Sequence, residues 1–238
     1  PAILLVHGNL GSSVWYERVM SLRGLRSIAL DMPNFGRSGP FGVEVDIDCY
    51  ADAVWAFIEA LKLDRPILVA HSLGGAVATS LAVRRPGSIR GLVLVDSAAP
   101  SGMRIPEERY PYIELMRTNR DFLARSLKAA VPTLADEAYF QRLVEDAALM
   151  AGDAFSGNAR ALDRFDYTGR CAAFPGPTMV LWGALDVIVT EAMARETAAA
   201  FPGARLEILD GVGHSVMAED PAGFISLVEE FAAGSGKP

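Results

Sequence analysis

Ser72 has the richest chemical surroundings in this chain. It lies in the run Val69-Ala70-His71-Ser72-Leu73-Gly74-Gly75. The apolar stretch Ile67 to Ala70 reads as a buried strand, and a small-residue helix from Gly74 to Arg84 follows at once. A serine on so sharp a strand-to-helix turn is pushed towards positive φ, and its neighbours two residues away must be small. Ala70 and Gly74 meet that need. The turn lifts the hydroxyl above the sheet edge, where the helix N-terminus beneath favours developing negative charge. That is a site for a nucleophile. A serine hydroxyl at its ordinary pKa is a weak one and needs an adjacent base.

Three further segments end strands in the same way. Leu5-Val6-His7-Gly8-Asn9-Leu10-Gly11-Ser12 runs from a strand into a glycine-bearing loop. Leu181-Trp182-Gly183-Ala184-Leu185-Asp186 places an acid after a strand, and Gly211-Val212-Gly213-His214-Ser215 places a histidine on a loop after another. Sites in open parallel sheets form beyond the carboxyl ends of strands. The four segments are therefore placed to converge.

The elements that must carry them are short runs of aliphatic residues: Ile3–Val6, Arg26–Leu30, Ile67–Ala70, Leu92–Val95, Thr178–Leu181 and Leu206–Leu209. Each is nearly all apolar, as parallel strands buried on both faces must be. Helical patterns separate them. Val54, Phe57, Ile58 and Leu61 keep the spacing of one helix face, and Asp220-Pro221 reads as an N-cap with proline at the first helical position, opening a helix to Phe231. The alternation predicts an α/β fold with a doubly wound, mostly parallel sheet. It breaks between residues 98 and 170, where Glu107–Thr118, Arg120–Ala130, Asp136–Met150 and Asn158–Phe165 are helical instead. An insert of that size, leaving the sheet where strands end, reads as a helical cap over the site. The division is a core of residues 1–97 and 171–238 and a cap of residues 98–170. Residues Gly234 to Pro238 read as a frayed tail.

The chain has 238 residues, 51% of them hydrophobic, and a net charge of −7. A core of this size needs no covalent staples. The acidic balance argues against nucleic acid and anionic membrane as partners. No run approaches the length of a membrane span, and Pro1 to Val6 lacks the basic start of a signal peptide. Cys49 and Cys171 read as free thiols of a reducing compartment, so the expected location is the cytoplasm. No metal-ligand spacing or phosphate-cradling loop is present in the sequence, so no cofactor is expected. Nothing in it sets an oligomeric state.

With these residues in place the chain resembles the α/β-hydrolase fold family of esterases, lipases and haloperoxidase-like serine hydrolases. The resemblance rests on His7-Gly8, Asp31-Met32-Pro33-Asn34-Phe35-Gly36-Arg37-Ser38, His71-Ser72-Leu73-Gly74-Gly75, Trp182-Gly183-Ala184-Leu185-Asp186 and Gly213-His214. Nucleophile, acid and base fall in the family's order. The sequence departs from the pattern at Ala70, where the family usually has glycine. It also lacks the strand hairpin that usually precedes the His-Gly strand, which predicts about six strands and one less protected sheet edge.

The resemblance implies Ser72 as nucleophile and His214 as base. His214 alone among the three histidines has the loop freedom and chain position to reach the hydroxyl. His7 is expected to pack the oxyanion loop, and the His71 side chain to point elsewhere along the turn. Asp186 is the expected acid, with Asp96 at the end of Leu94-Val95-Asp96 as its rival. The main-chain amides of Asn9 and Leu73 are the implied oxyanion donors, so side-chain changes there should matter little. Asp31 and Arg37 read as a structural pair. Trp15, Phe35, Tyr112, Met116, Phe140, Val216 and Met217 are candidates for an acyl pocket. The implied activity is cofactor-free hydrolysis of small to medium hydrophobic carboxylic esters or lactones through an acyl-enzyme. Carbon–carbon hydrolysis of a dienoic keto acid and perhydrolysis are alternatives with the same residues. A ligand receptor on the same fold is the alternative of another class.

Overall fold

A computed structural model of the chain describes residues 1–235. Six strands form one sheet: β1 Ala2–Val6, β2 Arg26–Ala29, β3 Ile67–His71, β4 Gly91–Val95, β5 Thr178–Gly183 and β6 Arg205–Leu209. All neighbours pair in parallel, in the order β2-β1-β3-β4-β5-β6. The chain steps outward from β1 to β2 and then returns to the other side of β1 as β3. The switch point between β1 and β3 is where an open parallel sheet leaves a crevice at its carboxyl edge. The strands lie where the apolar runs predict them, within a residue or two.

The four inner strands β1, β3, β4 and β5 bury both faces by period-two alternation. The edge strands β2 and β6, also expected to be buried on both faces, are partly exposed because each has a neighbour on one side only. Leu4, Val6, Leu68, Ala70, Leu92 and Leu94 face one core, and Ile3, Leu5, Ile67, Val69, Val93 and Val95 face the other. The first core is closed by α1 (Ile47–Ala60), α2 (Leu73–Arg84) and α7 (Glu191–Ala200). The second is closed by α8 (Val216–Glu219), α9 (Pro221–Gly234) and the 3-10 turn Ser13–Val19. The buried stripe of α1 is Ile47, Tyr50, Ala51, Val54 and Ile58. It is shifted in phase from the predicted face: Phe57 is half-buried and Leu61 is exposed at the helix end. In α9 the Asp220 side chain accepts from Gly223 N at 3.0 Å, and the helix runs to Gly234, beyond the predicted Phe231. Gly234 thus belongs to a helix and Ser235 is its C-cap, rather than either being part of the predicted tail, whose residues 236–238 lie outside the described residues.

Between β4 and β5 the chain forms α3 (Tyr110–Thr118), α4 (Arg120–Ala130), α5 (Glu137–Ala147) and α6 (Ala154–Arg164). Helix α6 begins four residues before the predicted Asn158. No helix among the described residues is long and apolar enough to cross a membrane.

Candidate active site

Ser72 joins β3 to α2 with φ 51° and ψ −115°, a sparsely populated conformation that costs on the order of 1–3 kcal/mol. Its surroundings are shaped for it. A Cβ on Gly74 would lie 2.4 Å from the His7 carbonyl oxygen, and one on Gly8 would lie 2.9 Å from the Ser72 Cβ. Three main-chain bonds hold the turn: Ser72 N to Val95 O at 3.0 Å, Gly75 N to Ser72 O at 2.9 Å, and Ala98 N to Ser72 O at 3.3 Å.

Asp186 and His214 meet from two other strand ends. The Asp186 Oδ1 accepts from the amides of Ile188 and Val189 at 2.7 and 3.0 Å, which aims Oδ2 at His214 Nδ1, 2.7 Å away. A Cβ on Gly183 would lie 2.0 Å from Gly213 O, so glycine at the end of β5 is what lets the histidine loop lie against it. Glu219 accepts from Gly213 N on that loop and from Thr133 N between α4 and α5. Ser72 and His214 line one cavity. Among the described residues no hydrogen bond joins Ser72 Oγ to the ring; such contacts tighten when substrate binds.

Asp96, the rival acid, does not reach His214. Its Oδ1 accepts from Gly183 N at 2.9 Å, and φ 43° turns it back under β5. Burial, and then the charge of Asp186, push its pKa well up. Asp31 accepts from Ser13 N and Arg37 N, and its carboxylate lies 3.8 Å from the Arg37 guanidinium, so the pair pins the loop around Gly36.

The other two histidines are neutral. His7 Nε2 accepts from Met32 N at 3.0 Å, so its Nδ1–H donates to Gly8 O at 2.8 Å, and burial lowers its pKa to about 4. His71 departs from expectation. Its ring lines the cavity, and its Nε2–H donates to the His214 carbonyl oxygen at 2.8 Å. Burial, and then the neighbouring His214, hold its pKa well below the usual value.

The cavity has a volume of about 170 Å³. Of the acyl-pocket candidates Trp15 and Met116 line it, as does Asn9, together with Ile113, Phe155 and Ile188, which sequence reasoning missed. The remaining pocket candidates lie elsewhere. Phe35 packs on His7 and Tyr50 in the core, Phe140 is buried under Lys128, and Val216 and Met217 face the opposite core. Tyr112 is 58% exposed and stacks on Phe122. Among the described residues, neither the Asn9 nor the Leu73 main-chain N–H meets an acceptor within the chain. A larger cleft of about 730 Å³, lined by Val43, Arg160 and Arg164 among others, contains none of these groups.

A family model for the alpha/beta hydrolase family matches residues 3–227. The chain belongs to this family. Among relatives of this alpha/beta hydrolase, a pimeloyl-[acyl-carrier protein] methyl ester esterase from Shewanella woodyi is 29% identical over 202 residues, 79% of this chain and 76% of that protein. A 2-hydroxymuconate semialdehyde hydrolase from Pseudomonas sp. (strain CF600) is 28% identical over 250 residues, 97% of this chain and 86% of the other. An esterase from Exiguobacterium antarcticum superposes with a TM-score of 0.89 at 20% identity, covering 97% of this chain and 91% of that one. The alpha/beta hydrolase thus resembles esterases in architecture and hydrolases of more than one bond type in sequence.

Proposed function

We propose that the protein is a serine hydrolase of carboxylic esters and lactones, with Ser72 as nucleophile, His214 as base and Asp186 as the acid that orients it. The observation that carries this reading is the 2.7 Å contact between His214 Nδ1 and Asp186 Oδ2 at the wall of the cavity holding Ser72. A carboxylate on Nδ1 fixes the tautomer that leaves Nε2 free to take a proton.

In the first half-reaction Ser72 Oγ attacks the carbonyl carbon, and its proton passes to His214 Nε2. The carbonyl oxygen becomes an oxyanion, met by the Asn9 and Leu73 amides, each worth about 3 kcal/mol of barrier. The imidazolium, steadied by Asp186, protonates the leaving oxygen. An alcohol departs and acyl-Ser72 remains. Water then attacks the acyl carbon, its proton goes to His214 and on to Ser72 Oγ, and the carboxylic acid leaves.

The cap belongs to the same proposal. In it residues 98–170 act as the cap and 1–97 with 171–238 as the core, a division supported by Met103, Ile113, Phe155 and Leu162, which line the cavity from the cap span. Among the described residues the wall holds no Lys, Arg, Asp or Glu side chain. That supports a neutral, apolar acyl group of small to medium size. A dienoic keto acid would bring a carboxylate into this space with no cation to meet it, which favours ester over carbon–carbon hydrolysis. The cytoplasmic location also stays part of the proposal, supported by the unpaired Cys49 and Cys171.

Turnover of aryl esters of graded acyl length, with lactones beside them, tests the reading. Short apolar chains should be cleaved best, and Ser72→Ala should lower kcat by roughly four to six orders of magnitude. A folded Ser72→Ala variant that loses less than tenfold would place the nucleophile elsewhere.

A further inference from the structure

We propose that Asn158, on helix α6, is a positioning residue that holds Asn9 in place for the oxyanion. The inference rests on the reading of Asn9 given above. Phe155, Asn158, Ala159 and Leu162 form one stripe of α6 at i, i+3, i+4 and i+7. The other three members line the cavity. Asn158 interrupts this apolar stripe and is fully buried. A buried amide costs stability unless its polar atoms are paired, and here both are. Its Nδ2 donates to Asn9 Oδ1 at 2.7 Å, and its Oδ1 accepts from Tyr50 Oη at 3.0 Å.

The bonds continue in one direction. Phe41 N donates to Asn34 Oδ1 at 2.7 Å, Asn34 Nδ2 to Tyr50 Oη at 2.9 Å, Tyr50 to Asn158, and Asn158 to Asn9. Head-to-tail chains polarise each link and resist rearrangement. This one starts on the loop after β2 and ends on the side chain of the residue whose main-chain N–H is the proposed oxyanion donor.

Asn9 needs such an anchor. It occupies the turn closed by Gly11 N to Gly8 O at 3.2 Å, in which Leu10 takes φ 59°. A leucine in the left-handed region is strained, so the turn is not held by its own preferences. The bond from α6 restrains the Cα–Cβ direction of Asn9, and with it the adjoining peptide that carries the N–H. A cap helix and an oxyanion loop are thereby tied, and the Asn9 side chain gains a role that the sequence reading did not give it.

Steady-state kinetics on an aryl ester and inhibition by a boronic acid, whose tetrahedral adduct presents an anion to the same donors, test this. Asn158→Ala should lower kcat roughly tenfold to a hundredfold with KM changed less than about threefold, because a small displacement of a catalytic group costs that much. Boronate affinity should fall in parallel with kcat/KM. Asn9→Ala should lose a similar factor, and the double variant no more than the larger single loss. Tyr50→Phe removes the two preceding links of the chain while sparing the Asn158–Asn9 bond. It should lower Tm and cost clearly less kcat than Asn158→Ala, because the final bond to Asn9 survives. Should the Asn158 variant fail to fold, Asn9→Ala tests the same bond from its less buried side. Unchanged kcat in Asn158→Ala, additive losses in the double variant, or an equal kcat loss in Tyr50→Phe would each overturn the proposal. A wild-type enzyme that is never acylated at Ser72 would instead overturn the reading of the site itself.

Discussion

His71 donates its Nε2–H to the main-chain carbonyl oxygen of His214 at 2.8 Å, with the two rings 4.8 Å apart. The residue before the serine therefore holds the backbone of the proposed base, and the nucleophile's strand and the base's loop share one tether. His71 sits neutral and buried, so it acts here as a donor and not as a proton carrier. Removing it frees the loop shaped by Gly211 (φ 73°). The expected result for His71→Ala is a roughly tenfold loss of kcat with the pH profile unmoved, since the titrating group is not the one removed. Ester turnover measured across pH checks both parts; undiminished kcat, or a displaced profile, contradicts them.

The two buried carboxyls near β5 should separate cleanly under substitution. Asp186→Asn keeps the shape but breaks the contact that fixes the His214 tautomer, and should cost about 10⁴ in kcat. Asp96→Asn keeps an acceptor for Gly183 N and should cost less than tenfold. It should also stabilise the fold at neutral pH. A carboxyl whose folded pKa is raised loses stability as pH climbs above its unfolded value, and the amide does not. Paired kinetics and thermal melts at pH 7 decide this; activity lost in Asp96→Asn and kept in Asp186→Asn would exchange the two roles.

His7 gives the fold a pH dependence of its own. Its folded pKa of about 4 lies below the usual 6.5, because burial disfavours the imidazolium. The unfolded chain thus binds the proton first on acidification. The contribution is complete above about pH 6.5 and is lost as pH falls towards 4, to a total of roughly 3 kcal/mol. The difference in stability between wild type and His7→Gln, followed by denaturant unfolding from pH 7 to 4, should shrink by that order. A difference independent of pH would mean that His7 is not buried neutral.

What could be read from the residues divides along physical lines. Buried parallel strands need unbroken apolar runs, so the four inner strands could be placed, and the partly exposed edge strands β2 and β6 kept enough apolar residues to be placed as well. The glycines around Ser72 and His214 mark turns that other residues cannot make. The cavity wall was far less legible. Apolarity says that a residue is covered, not by what. Ile113 and Met116, three apart, face the cavity, while Tyr112 is turned about 100° away on the same helix and stands in solvent. Val216 and Met217 follow His214 after the single residue Ser215, yet they pack with Phe224 in the opposite core. The link from Asn158 to Asn9 spans 149 positions. Its sole trace in the sequence is a polar residue on an otherwise apolar helix face.

The most direct test of the central assignment is intact-mass and peptide-level detection of a fluorophosphonate adduct. Wild-type protein should gain one adduct per chain, on the peptide carrying Ser72. Ser72→Ala should gain none, and His214→Ala should label slower by on the order of 10³ or more. A folded wild-type protein that stays unlabelled, or a Ser72→Ala variant that labels at the wild-type rate, would contradict the account.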